Sequence, residues 1–341
     1  QRMQTNQQVT TKTAVKLGAL WVALLVLNAA MALVAIAVGS AGYSLGEIIQ
    51  GISSAEANPI KTIVISLRLP RVLLALLVGA ALSAAGALLQ AVMRNPLADP
   101  GTIGVSAGAS TAATSIMLLF PNMLSAVPLF AFAGAALASV LIYVMAWKGG
   151  VDPVRIILSG VAVNSVLGAY NGLLQLLNSD RLQGVLAFMN GSLSGRSWPH
   201  VHVAVVYTSI GLVLAFMCIK SANVLQLGDE MAQSLGMKVS LNRVLLSGVS
   251  AFLAAATVSV AGMIGFVGLV VPHISRLMVG SDHKALLPTC VLLGALILLA
   301  ADTLGRVIVP GMEIPVGIVM AVTGGPFFLY MLRKRGKAIA S

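Results

Sequence analysis

Stretches of about 20 mostly apolar residues recur along this chain from Leu17 to Leu332, and each is long enough to cross a hydrocarbon core. That recurrence constrains the fold more than any single motif. Lipid offers no water to an unpaired backbone N–H or C=O, so only helices and closed barrels can span it. Barrel strands alternate apolar and polar residues over about ten positions, whereas these runs are continuous and read as helices. Only 9% of residues are charged, against about 25% in a soluble domain, too few to coat a water-facing surface. The fold class expected is an all-α polytopic membrane protein.

The spacing predicts ten spans, at 17–38, 72–92, 102–120, 127–147, 154–177, 201–219, 243–262, 265–280, 285–304 and 314–332. The eighth is short and broken by Gly268 and Pro272, and is expected to enter the bilayer only partly. Ten crossings place both termini on one side. If that side is cytoplasmic, the outside receives Lys61, Arg68, Arg71, Arg181, Arg196 and Arg306, and the inside the remaining 15 of 21 Lys/Arg, while the ten acids divide five and five. A bias confined to Lys and Arg is the one that orients membrane proteins, so both termini are expected in the cytoplasm. The net charge of +11 does not imply nucleic acid, because the basic residues are scattered rather than gathered on one face.

Lys12 and Lys16 precede the first run as in a secretory signal, and Ala-Val-Gly-Ser-Ala at 37–41 is a weak cleavage candidate. The run at 17–38 exceeds the 7–15 residues of a signal core, so a retained first span is expected. Cys218 and Cys290 lie in apolar segments and read as packing residues. Gly79 and Gly86, and Gly104 and Gly108, have the spacing of close helix packing. A faint repeat links Arg71-Val-Leu-Leu74 to Arg243-Val-Leu-Leu246, 172 positions later, with Leu97 on Leu269 and Pro100 on Pro272. The two copies open on opposite sides, as an inverted-topology repeat requires.

The most informative polar stretch runs from Lys220 to Arg243, KSANVLQLGDEMAQSLGMKVSLNR. Val224, Leu225, Leu227, Met231, Leu235 and Met237 are spaced like the buried face of short helices. Gly228 and Gly236 punctuate the stretch, and Asp229 and Glu230 sit where a helix N-terminus favours negative charge. It reads either as an amphipathic loop lying on headgroups or as an element that docks into a partner's groove.

This stretch resembles the coupling helices of FecCD-family permeases, the membrane subunits of iron-siderophore, haem and cobalamin ABC importers. RLPRVLLALLVGAALSAAGALLQAVMRNPLADPGTIGVSAGA (Arg68–Ala109), GFVGLVVPHISRLMVGSDHKALLP (Gly265–Pro288) and ADTLGRVIVPGMEIPVGIVMAVTGGPFF (Ala301–Phe328) resemble the same family, and the likeness runs from about Tyr43 to Arg335. The resemblance implies one permease domain over 1–341 with ten helices, in the type II importer architecture, in a bacterial plasma membrane. It implies a second permease subunit, a copy or a paralogue, two cytosolic ATPases that hold ATP and Mg, and an extracytoplasmic binding protein. No cofactor is expected on this chain, and it is expected to be no enzyme. No G-x-x-x-x-G-K-[ST] phosphate loop occurs; the only Gly-Lys pair is Gly336-Lys337, followed by Ala338.

The resemblance assigns coupling to the ATPase to Leu227, Gly228, Asp229, Glu230, Met231, Ala232, Leu235, Gly236 and Met237. It assigns docking of the binding protein to Arg68, Arg71 and Arg306, whose guanidinium groups suit carboxylates. The same arginines could instead anchor helix ends or pair internally, as Asp302 and Arg306 could at i,i+4. Gln90, Met93, Asn164, Asn171 and Gln175 are candidates for lining the pathway, with Ser165 and Met189 beside them; polar residues within spans often face a bundle interior. RNPLADPG (Arg94–Gly101) reads as a rigid turn set by Pro96 and Pro100, with Asn95 and Asp99 bonding its backbone. His200 and His202, beside Trp198, read as an interfacial belt, His273 as a helix-end residue of a Pro-His turn and His283 as a loop residue. An ion-driven carrier would need ionisable residues deep in its spans, and a membrane enzyme would need clustered His, Asp or Glu such as H-E-x-x-H; the sequence shows neither. The cargo expected is an iron chelate, a ferric siderophore before haem or cobalamin.

Overall fold

The computed structural model describes residues 2–38, 46–47, 50, 58–148, 150, 152–309 and 311–339. Tyr43 and residues 39–41 of the candidate cleavage patch lie outside them. All regular elements among the described residues are helical, numbered here as α1 (Arg2–Ala37), α2 (Pro59–Met93), α3 (Val105–Leu119), α4 (Val127–Ala146), α5 (Pro153–Leu177), α6 (Leu182–Met189), α7 (Trp198–Met217), α8 (Ile219–Gln226), α9 (Asp229–Ser234), α10 (Val239–Ala261), α11 (Val267–Val279), α12 (His283–Val307) and α13 (Val316–Ile339). Seven are long and apolar enough to cross a membrane; α3, α11 and the apolar part of α13 are shorter. These ten apolar helices stand where ten spans were expected. The second starts 13 residues early, at Pro59, because Asn58 caps it by accepting the Ile60 N–H and a π-turn at Val64–Arg68 carries it into the apolar run.

Helix α2 is the centre of the bundle, with nearly every residue from Val78 to Met93 buried. It can be surrounded because its faces carry small residues, which let backbones approach where lipid provides no hydrophobic drive between helices. Against α12, Gly79 meets Gly294 so closely that a Cβ on either would strike the other's carbonyl oxygen, and Ser83 Oγ donates to the Cys290 carbonyl at 2.7 Å. On another side Ser250 Oγ of α10 donates to the Ala85 carbonyl, and Gly86 abuts Gly268 at the start of α11. The helices α3 and α4 repeat the device through Gly108 and Gly134.

Contacts along these pairs set direction. Residues 71, 79 and 83 of α2 meet 302, 294 and 290 of α12, so the two are antiparallel. Helix α1 runs parallel to α12, since Trp21 Nε1 donates to Thr289 Oγ1 and Arg306 Nη1 to the Val38 carbonyl. The N-terminus of α1, the C-terminus of α2 and the N-termini of α10 and α12 therefore share one end of the bundle with α8 and α9. Helix α13 starts at the opposite end, where the Ile314 N–H donates to the Gly305 carbonyl, and runs back. Helices α2 and α10, which carry the two Arg-Val-Leu-Leu copies, lie side by side in opposite directions, as an inverted repeat demands.

Candidate functional site

The stretch between α7 and α10 folds as two short helices, α8 and α9, joined at Leu227-Gly228. Gly228 has φ +103° and ψ 161°, a conformation open only to glycine. Asp229 follows at the first position of α9, where the exposed N–H groups favour a carboxylate. Arg243 Nη2 donates to its Oδ1 at 2.9 Å, and Arg94 Nη2 lies 3.6 Å from the same oxygen. Arg94 itself stands in the left-handed region, φ 48°, at the end of α2; the Asn95 N–H closes the turn on the Gln90 carbonyl. Helix termini often end this way, though usually on glycine. One carboxylate on α9 thus ties together α9, α10 and the α2 turn.

The apolar positions of this stretch form the expected buried face only in part: Leu225 is buried and Val224 and Met237 pack against the core. Ala222 and Ala232 are buried too, but Leu227, Met231 and Leu235 are 53–60% exposed. On α8 Leu225 packs into the bundle, whereas on α9 only the small Ala232 does and the large Met231 points away, with Asp229 tying the start of that helix to Arg243. With Arg94, Glu230 and Ser234, Leu227 and Met231 rim a surface dent. Glu230, Gly236 and Met237 complete the segment at its edges.

Helix α8 is fixed by contacts that the sequence did not reveal. Asn223 Nδ2 donates to Asp282 Oδ1 at 2.7 Å and its Oδ1 accepts the His283 N–H at 2.9 Å; Ser221 Oγ donates to Asn242 Oδ1. His283 is not a loop residue: it opens α12 fully buried, beside Gln226 and the Ala87 carbonyl of α2. The Lys284 N–H and the Asn223 amide hold the Asp282 carboxyl below the usual range. His273 likewise lies within α11 rather than at a turn. The RNPLADPG turn is built as expected, with Asp99 Oδ1 accepting the Gly101 N–H and Asn95 Oδ1 the Leu97 N–H.

At the opposite end, Arg68, Arg71 and Arg306 come together, 6–9% exposed. Arg71 grips both oxygens of Asp302 at 2.9–3.1 Å and donates to Glu313 Oε2 at 2.8 Å. Arg306 Nε lies 3.5 Å from Asp302 Oδ2. Arg68 donates to the Ile36 and Ala37 carbonyls, and Arg306 to that of Val38, so two cations cap the C-terminal end of α1. Internal pairing, the alternative reading of these arginines, is what the geometry shows: a knot joining α1, α2, α12 and the loop before α13.

The pathway candidates fall mostly inside the chain. Met93, Gln90 and Asn171 are buried. Gln90 Nε2 donates to the Gly268 carbonyl while Oε1 accepts Arg276 Nη1 at 2.6 Å, and Asn171 Nδ2 donates to Ser110 Oγ. Asn164 and Gln175, half-buried, bond the Gly101 carbonyl and Met189 Sδ. Ser165 is exposed on α5, beside Gly168 and Gly172, which have open space before them. Among the described residues no three His, Cys, Asp or Glu side chains gather as a metal site would need.

Comparison with known proteins adds the following. Residues 24–334 match the FecCD transport family. The chain is 41% identical over 299 residues to the Fe(3+)-citrate import system permease protein YfmD of Bacillus subtilis (strain 168), covering 88% of this chain and 90% of that one. It is 42% identical over 276 residues to the cobalamin import system permease protein BtuC of Halobacterium salinarum (strain ATCC 700922 / JCM 11081 / NRC-1), covering 81% and 74%. Among solved structures, an inward-facing conformation of a metal-chelate type ABC transporter superposes with a TM-score of 0.81 at 29% identity, over 93% of this chain and 99% of that one.

Proposed function

The chain belongs to the FecCD transport family, and from that premise we propose that it forms half of the channel of an ATP-driven importer for a ferric chelate of the siderophore type. Its relatives are transport permeases of ABC importers and not enzymes. The cargo is the finer part of the reading. Iron-citrate, siderophore, haemin and cobalamin permeases all lie within 36–43% identity of this chain. The preference for a ferric chelate rests on how many of those relatives carry iron, and haem or cobalamin is the alternative.

The observation that carries the mechanism is the exposed row Leu227, Met231 and Leu235 on a helix tethered through Asp229 to Arg243 and Arg94. An apolar row of this kind suits a groove on a partner. The partner is a cytosolic ATPase, which carries ATP and Mg, and this end of the bundle faces the cytoplasm. ATPase closure pushes α9; Asp229 passes the push to Arg243 on α10 and to the end of α2, the two antiparallel helices at the centre of the fold. A second permease subunit, a copy or a paralogue, completes the channel, and Asn164, Ser165 and Gln175 are the polar positions left to face it. At the far end an extracytoplasmic binding protein delivers the cargo. Arg68, Arg71 and Arg306 act first as a structural knot there. An acidic side chain of the binding protein reaches Arg71 by displacing Glu313, the half-exposed member of the knot.

Reconstitution with the ATPase and binding protein in liposomes tests this. Uptake of a ferric siderophore is expected to need ATP and all components and to exceed uptake of haem or cobalamin. Uptake by this chain alone would overturn the ABC reading, and faster haem or cobalamin uptake would overturn the cargo.

A further inference from the structure

Arg196 is a cation that the knot does not explain. It follows Gly195, which has φ +70°, and precedes the N-cap Ser197 of α7. Its guanidinium is largely enclosed, and burial pushes its pKa down. Its Nε is buried with no hydrogen-bond partner among the described residues, and no described carboxylate lies within ion-pairing distance. Among the described residues its one polar contact is Nη1 at 3.4 Å from His200 Nε2. The Ser197 N–H points at His200 Nδ1 at 3.4 Å, and with Nε2 protonated Arg196 and His200 both present donors to the space beside them. A buried ion pair that loses one partner is strongly destabilised, so a buried guanidinium without its anion is an incomplete arrangement.

The space beside it has the right form. Arg196 and His200 open onto a cavity of about 490 Å³ with Arg181, Ser125 and Ser259 in its wall and an apolar remainder from Met117, Leu124 and Phe188. Among the described residues no acidic one lines it. The first turn of α7 sits at its edge, adding the positive end of a 20-residue helix. Arginine recognises carboxylate and phosphate oxygens through paired N–H bonds.

We propose that this cavity, at the end of the bundle away from α9, is an oxyanion site in which Arg196 and His200, backed by Arg181, hold the carboxylate or phosphate group of a ligand. The carboxylate could come from an acid-bearing chelate and the phosphate from the free ion or a lipid headgroup. The site does not depend on the ATP-driven reading.

The test uses the intact transporter complex in nanodiscs of zwitterionic lipid, with thermal stability and equilibrium binding measured at constant ionic strength. Three probes are added separately: citrate, inorganic phosphate and, in the nanodisc itself, phosphatidylglycerol. At least one is expected to raise the melting temperature of the wild type, and which one does so names the source. Arg196→Gln should weaken that probe by about tenfold or more while the unliganded protein melts no lower. Should Arg196→Gln fail to fold, Arg196→Lys and Arg181→Gln, which keep a cation in place or alter only the exposed member, should still weaken binding. No response of the wild type to any probe, or responses unchanged in all three variants, would overturn the site.

Discussion

Arg71 and Arg243 occupy matching positions in the two Arg-Val-Leu-Leu copies, and each holds an aspartate at 2.9 Å. There the likeness stops. Asp302, the partner of Arg71, has a side chain 1% exposed and lies on a 25-residue helix between two arginines. Asp229, the partner of Arg243, is 36% exposed and heads a helix of six residues. A buried carboxylate between rigid helices can hold but hardly move, whereas a carboxylate on a short element at the surface can transmit a push. The same pairing is a clasp at one end and a lever at the other.

The largest expected effect would break the clasp. Asp302→Ala leaves Arg71 and Arg306 buried without their shared anion, and should cost about 3–5 kcal/mol by denaturant or thermal unfolding in detergent. A loss under about 1 kcal/mol would show that the knot is open to water. Next comes the lever's outer face. Met231→Ala with Leu235→Ala should weaken co-purification of the ATPase by about 2 kcal/mol or more, as central interface residues do, and leave thermal stability unchanged because both side chains are exposed; a destabilised permease would instead mean that they pack on the bundle. Asp229→Ala should uncouple the lever. ATP-driven uptake is expected to fall by about two- to thirtyfold, the range of about 0.5–2 kcal/mol seen for coupling residues, while ATPase binding persists. Loss of binding and uptake in proportion would make Asp229 a docking residue.

Glu313 gives the smallest effect. Burial raises its pKa, but the hydrogen bond and charge of Arg71 outweigh that and hold it below the ordinary value. A folded-state pKa below the unfolded one contributes stability above the unfolded value, and that contribution is lost as pH falls through the folded one. Wild type should therefore lose about 0.5 kcal/mol or less relative to Glu313→Gln once pH falls below the ordinary glutamate value, screened as a half-exposed pair is. Equal pH profiles would remove Glu313 from the clasp.

Much of the fold was legible because lipid leaves few choices: the apolar runs gave ten helices, and the glycines at 79, 86 and 108 gave close contacts. The site was legible only as a location. Leu227, Met231 and Leu235 were placed on the buried side because helical spacing marks an apolar face without saying what it meets. Arg68, Arg71 and Arg306 were recognised as a group, yet their partners lie up to 268 residues away, beyond any local pattern. His283 and Asn223 gave no signal, since a histidine after Ser-Asp resembles an ordinary loop.

The sequence by itself determined the membrane class, the count and order of the spans, the family and the place of the polar segment. Tertiary structure decided which apolar surfaces are core and which are bare, which arginine holds which aspartate, and that α2 lies at the centre. The reason is physical. In water an apolar residue declares itself buried, but in a bilayer leucine is at ease against lipid and protein alike, so only the packed neighbours distinguish the two.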